Sequence, residues 1–134
     1  MKQILLALAA LTLVFAGCKK DGKKSTEEIL KGHTWRISEA YLDDELLTFE
    51  PCQDDNTESF LADSVYVINF GAVKCYPSQP QTVNGTWYLN GNELTTSWDG
   101  LIYTYTITSI NDFRFEAKYP FPGNRTVRKI YKAI

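Results

Sequence analysis

Between Gly85 and Thr108, apolar and polar residues alternate through two turn signals. Side chains of a strand point alternately to its two faces, so alternation marks a strand with one buried side. Asn90-Gly91 and Asp99-Gly100 are dipeptides that accept the positive φ values of two-residue hairpin turns. A loop at Asn90-Gly91 sets Trp87 opposite Leu94, and a loop at Asp99-Gly100 sets Trp98 opposite Leu101 and Leu94 opposite Tyr105. Both turns select the same face: Trp87, Leu89, Leu94, Trp98, Leu101, Tyr103, Tyr105 and Ile107 fall together. Thr86, Tyr88, Glu93, Thr95, Ser97, Ile102, Thr104, Thr106 and Thr108 fall opposite. The stretch predicts a three-stranded antiparallel meander with one buried face.

The same reading extends along the chain. Ser25 to Gly32 predicts one or two helical turns, with Ser25 or Thr26 as N-cap, Glu28 near the capping-box position and Gly32 as the stop. Trp35, Ile37, Glu39 and Tyr41 alternate with Arg36, Ser38 and Ala40, a first strand whose weak point is the charge of Glu39. Leu46 to Phe49 predicts a short second strand, Glu50 to Ser59 a loop, Val65 to Phe70 a strand and Gly71 to Gln81 another loop. Phe113, Phe115, Ala117 and Tyr119 alternate with Arg114, Glu116 and Lys118. Residues Pro120 to Asn124 then break the chain before a last strand from Thr126 to Ala133. For Ile107 to meet Phe115 the intervening loop must hold an odd number of residues, and Ile110 to Asp112 supplies three. About eight short strands with hairpin links predict an all-β fold. A small antiparallel up-and-down β-barrel with a short N-terminal helical turn comes first, and a sandwich second.

The start of the chain follows a different pattern. Lys2 precedes an apolar run from Ile4 to Phe15 that is too short to span a bilayer as a helix. Phe15-Ala16-Gly17-Cys18 then resembles the lipobox of bacterial lipoproteins, with Phe15 where Leu is usual. The resemblance implies cleavage before Cys18, diacylation of its sulfur and acylation of its new amino group, which together give a stable membrane anchor. Residues 1–17 are then a signal peptide, 18–25 a flexible tether with no apolar residue after Cys18, and 26–134 the barrel domain. Lys19 stands where an Asp resembles an inner-membrane retention signal, which points to the outer membrane with either leaflet open.

An oxidising envelope changes how the cysteines read. Cys52 and Cys75, both in predicted loops, are expected to form one disulfide, with two free buried thiols as the alternative. A net charge of −2 gives no reason to expect nucleic acid as a partner. The charge is segregated: nine acids and no Lys or Arg lie from Ile37 to Val73, and six bases against one acid from Arg114 to Lys132. An acidic edge facing basic late strands explains this. Asp54-Asp55-Asn56 lacks the Gly of a calcium loop, and one His with two separated cysteines gives no zinc spacing, so no metal or other cofactor is expected. His33 has no Gly-x-Ser-x-Gly to serve, and no nucleophile–base constellation appears, so no enzyme is expected.

Four stretches resemble a family of small lipocalin-like lipoproteins of Bacteroidetes-type bacteria. They are Leu30-Lys31-Gly32-His33-Thr34-Trp35, Pro51-Cys52-Gln53-Asp54-Asp55-Asn56, Gly71-Ala72-Val73-Lys74-Cys75 and Gly85-Thr86-Trp87-Tyr88-Leu89. The resemblance runs from Leu30 to the C-terminus and implies a lipocalin-like β-barrel. Asp63-Ser64-Val65 is similar to the short O-glycosylation motif of the same bacteria. Barrel interiors hold either side chains or a ligand. Trp98, Leu101, Tyr103, Tyr105, Phe113 and Phe115, with Tyr119, either line an apolar pocket or fill the core. Two functions follow: a lipid-anchored protein binding a small hydrophobic ligand, or an envelope protein-interaction or inhibitor module with a filled core.

Overall fold

The computed structural model of the protein describes residues 22–134. The helix among them, α1 (Thr26–Lys31), starts on a capping box. The Ser25 hydroxyl accepts from the Glu28 N–H at 3.2 Å, and the Glu28 carboxylate accepts from the Ser25 N–H at 2.7 Å. The exchange satisfies two donors, one of them an N–H that a helix start leaves free, and holds the Glu28 carboxyl below its usual range. Nine strands follow: β1 (Thr34–Leu42), β2 (Glu45–Leu46), β3 (Thr57–Phe60), β4 (Val65–Asn69), β5 (Thr82–Asn90), β6 (Glu93–Trp98), β7 (Leu101–Ile110), β8 (Arg114–Phe121) and β9 (Arg125–Ala133). Antiparallel pairing runs β1, β3, β4, β5, β6, β7, β8, β9 and returns from β9 to β1, closing a barrel of eight strands. β2 is no stave, since its two residues pair only with Tyr41 and Leu42. Closure gives every stave a partner on both sides over at least part of its length, which is the advantage of this architecture for an all-β chain. Among the described residues no helix is long and apolar enough to cross a membrane.

The meander forms with the predicted buried face. Its second turn sets Trp98 opposite Leu101 and Leu94 opposite Tyr105, with Asp99 and Gly100 at φ 49° and 75°. Its first turn sits one residue further on: Leu89 faces Leu94, and Gly91 and Asn92 form the loop, with Gly91 at φ 62°. Moving both loop positions by one preserves parity, so Trp87, Leu94, Tyr105 and Ile107 are still buried. Thr95 departs from the pattern. It is buried on the outer face, between its register partners Tyr88 and Thr104, and shares a 3.1 Å hydrogen bond with the Thr104 hydroxyl.

Two bulges correct the simple alternation. β1 shifts register between Ile37 and Glu39, with Ser38 as the extra residue. One extra residue turns every later side chain to the other face. Ala40 and Leu42 therefore line the interior, while Tyr41 lies outside under the Arg128 guanidinium at 3.9 Å and hydrogen-bonds Glu39. β7 shifts between Ile107 and Ser109, so Ile107 meets Ala117 and Ile110 meets Phe115. The Asn111 N–H then donates to the Arg114 carbonyl at 2.9 Å. The odd-numbered loop from Ile110 to Asp112 is thus replaced by a bulge inside the strand. The predicted Glu50–Ser59 loop ends in a strand, β3, and the predicted Leu46–Phe49 strand shrinks to β2. Pro120 and Phe121, read as a break, still pair with Thr126 and Arg125.

The core fills one end of the barrel. β1, β4, β6 and β8 all start at this end, and α1 drops Ile29 and Leu30 into it. Trp35 meets Phe115 edge to face at 4.8 Å, Phe115 stacks on Tyr131 at 4.1 Å, and Phe60 meets Trp87 at 5.4 Å. Both buried indoles find an acceptor: Trp35 donates to the Leu30 carbonyl at 3.0 Å and Trp87 to the Leu61 carbonyl at 2.9 Å.

Candidate functional site

The other end of the barrel carries the long connections, and a cavity of about 450 Å³ opens there. Its existence follows from the strand pairing. β1 pairs with β3 only through Thr34 and Trp35, then diverges toward β2. The following segment folds back, with the Leu47 N–H donating to the Ala40 carbonyl at 2.8 Å, and contributes Leu47, Thr48 and Phe49 to the cavity wall. Ile37, Ala40 and Leu42 of β1 face Ile68, Phe70 and Trp98 across the space, with Tyr119, Phe121 and Val127 on the third side. β7 also leaves β8 above the pair Thr106–Lys118. Pro120 has no N–H to donate in that region, and Tyr103 and Tyr119 meet edge to face at 6.2 Å in the seam.

Small residues and one covalent link shape the rim. A Cβ on Gly85 would lie 2.0 Å from the Ser97 carbonyl oxygen and 2.9 Å from the Trp98 Cβ. Only glycine lets β5 close on β6 here, which sets Trp98 against the cavity. Cys52 and Cys75 form a disulfide with Cα atoms 5.1 Å apart, joining the loop before β3 to the loop after β4. Beside it the Asp55 carboxylate accepts from the Ala72 N–H at 2.7 Å, in space that a Cβ on Gly71 would enter at 2.1 Å. The Asn56 amide, turned to satisfy both groups, donates to the Phe70 carbonyl at 3.1 Å and the Cys52 carbonyl at 3.2 Å. Asp55 and Asn56 thus build the rim. Among the described residues no group of His, Cys, Asp or Glu is placed to hold a metal ion.

Glu58 and Lys129 line the same apolar cavity. The Tyr66 hydroxyl donates to the Glu58 carboxylate at 2.7 Å. Burial pushes the Glu58 carboxyl up from its usual range, against the opposing pull of Lys129 and of the Tyr66 and Tyr131 hydroxyls. Burial lowers the Lys129 ammonium, against the pull of Glu58. Tyr66, Tyr105 and Tyr131 are driven above the ordinary phenol range, chiefly by burial. The Lys129 Nζ lies 5.4 Å from the ring centroids of both Tyr105 and Tyr119.

The residues picked from sequence separate into groups. Trp98 lines the cavity, and so does Tyr119. Tyr103 is half-buried in the β7–β8 seam, and Tyr105 is buried beneath Lys129. Leu101 sits on the rim, 45% exposed, outside the cavity lining. Phe115 belongs to the filled end, 1% exposed between Trp35 and Tyr131. Phe113 is corrected outright: it is 80% exposed at the tip of the β7–β8 hairpin, where Asn111 caps the turn. Glu58, Lys129 and the β1 wall escaped the sequence reading. Glu58 lies in an acid-rich stretch that resembles a loop, and the Ser38 bulge hides the inward turn of Ala40 and Leu42. His33 is placed 3.2 Å from Asp112, with Lys24 at 2.6 Å from the same carboxylate. Ser64 is exposed in the turn between β3 and β4, with Asp63 and Ser64 at φ 54° and 60°. Cys18 lies outside the described residues.

Comparison with known proteins agrees with this geometry. A family model described as a lipocalin-like domain matches residues 30–116. The crystal structure of an uncharacterized protein from Bacteroides eggerthii has the same fold, with a TM-score of 0.54 at 10% identity, covering 76% of this chain and 98% of that one. No curated protein matches the chain.

Proposed function

This chain belongs to the lipocalin-like domain family, and from that premise we propose that it is a lipid-anchored cell-envelope protein whose barrel holds a small hydrophobic ligand in its open end. The cavity carries this reading. Its volume of about 450 Å³ lies within the range of small-molecule pockets, and its walls are aliphatic and aromatic with few polar groups. A filled interior would have favoured an interaction module with no ligand, but the aromatics pack only one end. The anchor rests on the lipobox-like Phe15-Ala16-Gly17-Cys18, and an outer-membrane location on Lys19. Nothing in the cavity joins a nucleophile to a base, so the proposed role is binding rather than catalysis.

The test is fluorescence titration with N-phenylnaphthylamine, a neutral apolar probe. The parent protein is expected to bind it, and Trp98→Ala to bind it more weakly while folding nearly as well. Absence of binding by the parent protein would end the cavity reading. For the anchor, Cys18→Ser is expected to move the protein from the membrane to the soluble fraction, and unchanged partitioning would refute it.

A further inference from the structure

Three bases stand side by side on the outside of the packed end. Lys132 of β9 pairs with Arg36 of β1 on one side and with Arg114 of β8 on the other. Residues in one register row share a face, and all three are exposed. Like charges set opposite one another repel, so the row costs the fold stability. Among the described residues, only the Glu116 carboxylate reaches the row, 3.6 Å from the Arg114 guanidinium.

An apolar tip adjoins the row. Phe113 precedes Arg114 and is 80% exposed. Its turn holds it out: the Asn111 side-chain carbonyl accepts from the Phe113 N–H at 2.9 Å and from the Arg114 N–H at 3.0 Å. The Phe113 carbonyl accepts from the Ala133 N–H at 2.9 Å, which brings the exposed Ile134 beside it. Acids on this side are already engaged, Asp112 with Lys24 and His33, Glu27 with Lys31, and Glu28 in the helix cap. Asp63 and Glu93 belong to the β3–β4 and β5–β6 connections, on other sides of the barrel. An exposed aromatic ring flanked by cations suits a surface that lies on anionic lipid headgroups. The opposite charge gathers at the mouth. Asp43, Asp44, Glu45, Glu50, Asp54 and Asp55 lie in the connections there, and anionic headgroups repel them.

With Cys18 as the proposed anchor, the tether decides which end meets the bilayer. Buried Ile29 and Leu30 fix α1 to the packed end, so the domain begins there. Six residue steps separate Cys18 from Lys24, a span of at most roughly 20–22 Å. Strands of nine and ten residues, tilted by about 40° at roughly 3.3 Å per residue, make a barrel about 25 Å tall before its rim loops are counted. With the mouth turned to the bilayer, Lys24 would stand farther from it than the tether extends. We infer that the packed end docks on the anionic bilayer surface that holds the Cys18 acyl chains. Phe113 lies among the headgroups, Arg36, Lys132 and Arg114 lie against their phosphates, and the mouth faces away.

Sedimentation of the Cys18→Ser protein with vesicles tests the surface without any acyl chain. Binding is expected to vesicles of about 30% phosphatidylglycerol in phosphatidylcholine, and not to phosphatidylcholine alone. Arg36→Gln/Lys132→Gln is expected to weaken binding about tenfold or more, and Phe113→Ser severalfold. Lys74→Gln/Arg125→Gln removes the same charge at the mouth and is expected to leave binding nearly unchanged. Equal losses for the two pairs, or equal binding to both kinds of vesicle, overturn the surface. In the lipidated protein on the anionic vesicles, a fluorophore on Phe113→Cys is expected to shift to the blue and to be quenched by headgroup spin labels. One on Leu101→Cys, at the rim, is expected to emit as in water. The reverse pattern, or water-like emission from both, overturns the orientation. If Cys18 is not acylated, the anchor and the orientation fall together, and sedimentation still decides the surface.

Discussion

A missing side chain governs the shape of the barrel at Gly85. The Cβ of an alanine would lie 2.0 Å from the Ser97 carbonyl oxygen, a backbone atom that cannot swing aside. Gly85→Ala is expected to cost about 1–3 kcal/mol, as overpacking usually does, measured as a lower denaturant midpoint. Trp87→Ala, which empties the closed end against Phe60, is expected to cost about 3–5 kcal/mol. Trp98→Ala should cost less, because one side of that ring faces the cavity rather than packed atoms. Equal losses at the two tryptophans would mean that Trp98 is core. Single residues were legible in sequence where period and turn chemistry agreed, as for Trp87, Leu94 and Tyr105. Phe113 shares the apolar parity of its strand, but parity does not say where a strand stops, and the residue lies beyond its end. Glu58 was hidden for the opposite reason. Its inward position breaks the apolar pattern, and only tertiary partners such as Tyr66 reveal why a charge is tolerated there.

At the level of elements, the hairpin between β7 and β8 is held to the N-terminal segment by charge. Lys24 and His33 both reach Asp112, and the hydrogen bond from Lys24, followed by that from His33, holds its carboxyl below the usual range. A depressed carboxyl contributes stability that is present above its ordinary value of 3.8 and is lost as pH falls through the lower folded value. Asp112→Asn is therefore expected to melt slightly below the parent at neutral pH and to coincide with it once acid has protonated Asp112. Exposure makes the difference small, and added salt should shrink it further. A gap that persists in strong acid would show a role other than charge. The helix cap and the second turn of the meander were readable because their signals are local, Ser25 with Glu28 and Asp99-Gly100. The first turn was legible only to within one residue, since Gly91 serves a loop with Asn92 as readily as one with Asn90. The bulges at Ser38 and near Thr108 were not legible, since no residue in either marks an insertion. Glu39 on a seemingly inward position was the trace that the first one left.

For the whole molecule, closure is the least local feature. β1 and β9 stand at opposite ends of the domain, and their pairing follows from strand number and twist rather than from any short motif. Nor could aromatic content say which end is filled, because Trp87 and Trp98 are one strand length apart and look alike in sequence. The two-pair contact between β1 and β3 decides it, by letting the far end open. That opening leaves the rim loops without a core beneath them, so the Cys52–Cys75 disulfide carries a load there that packing carries elsewhere. The two cysteines are 23 residues apart, and closing a loop of that size restricts the unfolded chain by about 3 kcal/mol in the entropy model. Cys52→Ala/Cys75→Ala should accordingly lose about that much stability while keeping its β-sheet circular dichroism, since the packed end touches neither cysteine. The same variant should bind the apolar probe more weakly, because Gln53 and Asn56 next to Cys52 line the cavity and would no longer be fixed. An unchanged midpoint would mean that native contacts such as Asp55 to Ala72 hold the rim without the bond. A lost midpoint with unchanged probe affinity would confine the disulfide to stability and leave the mouth shaped by Gly85 and the β1–β3 divergence alone.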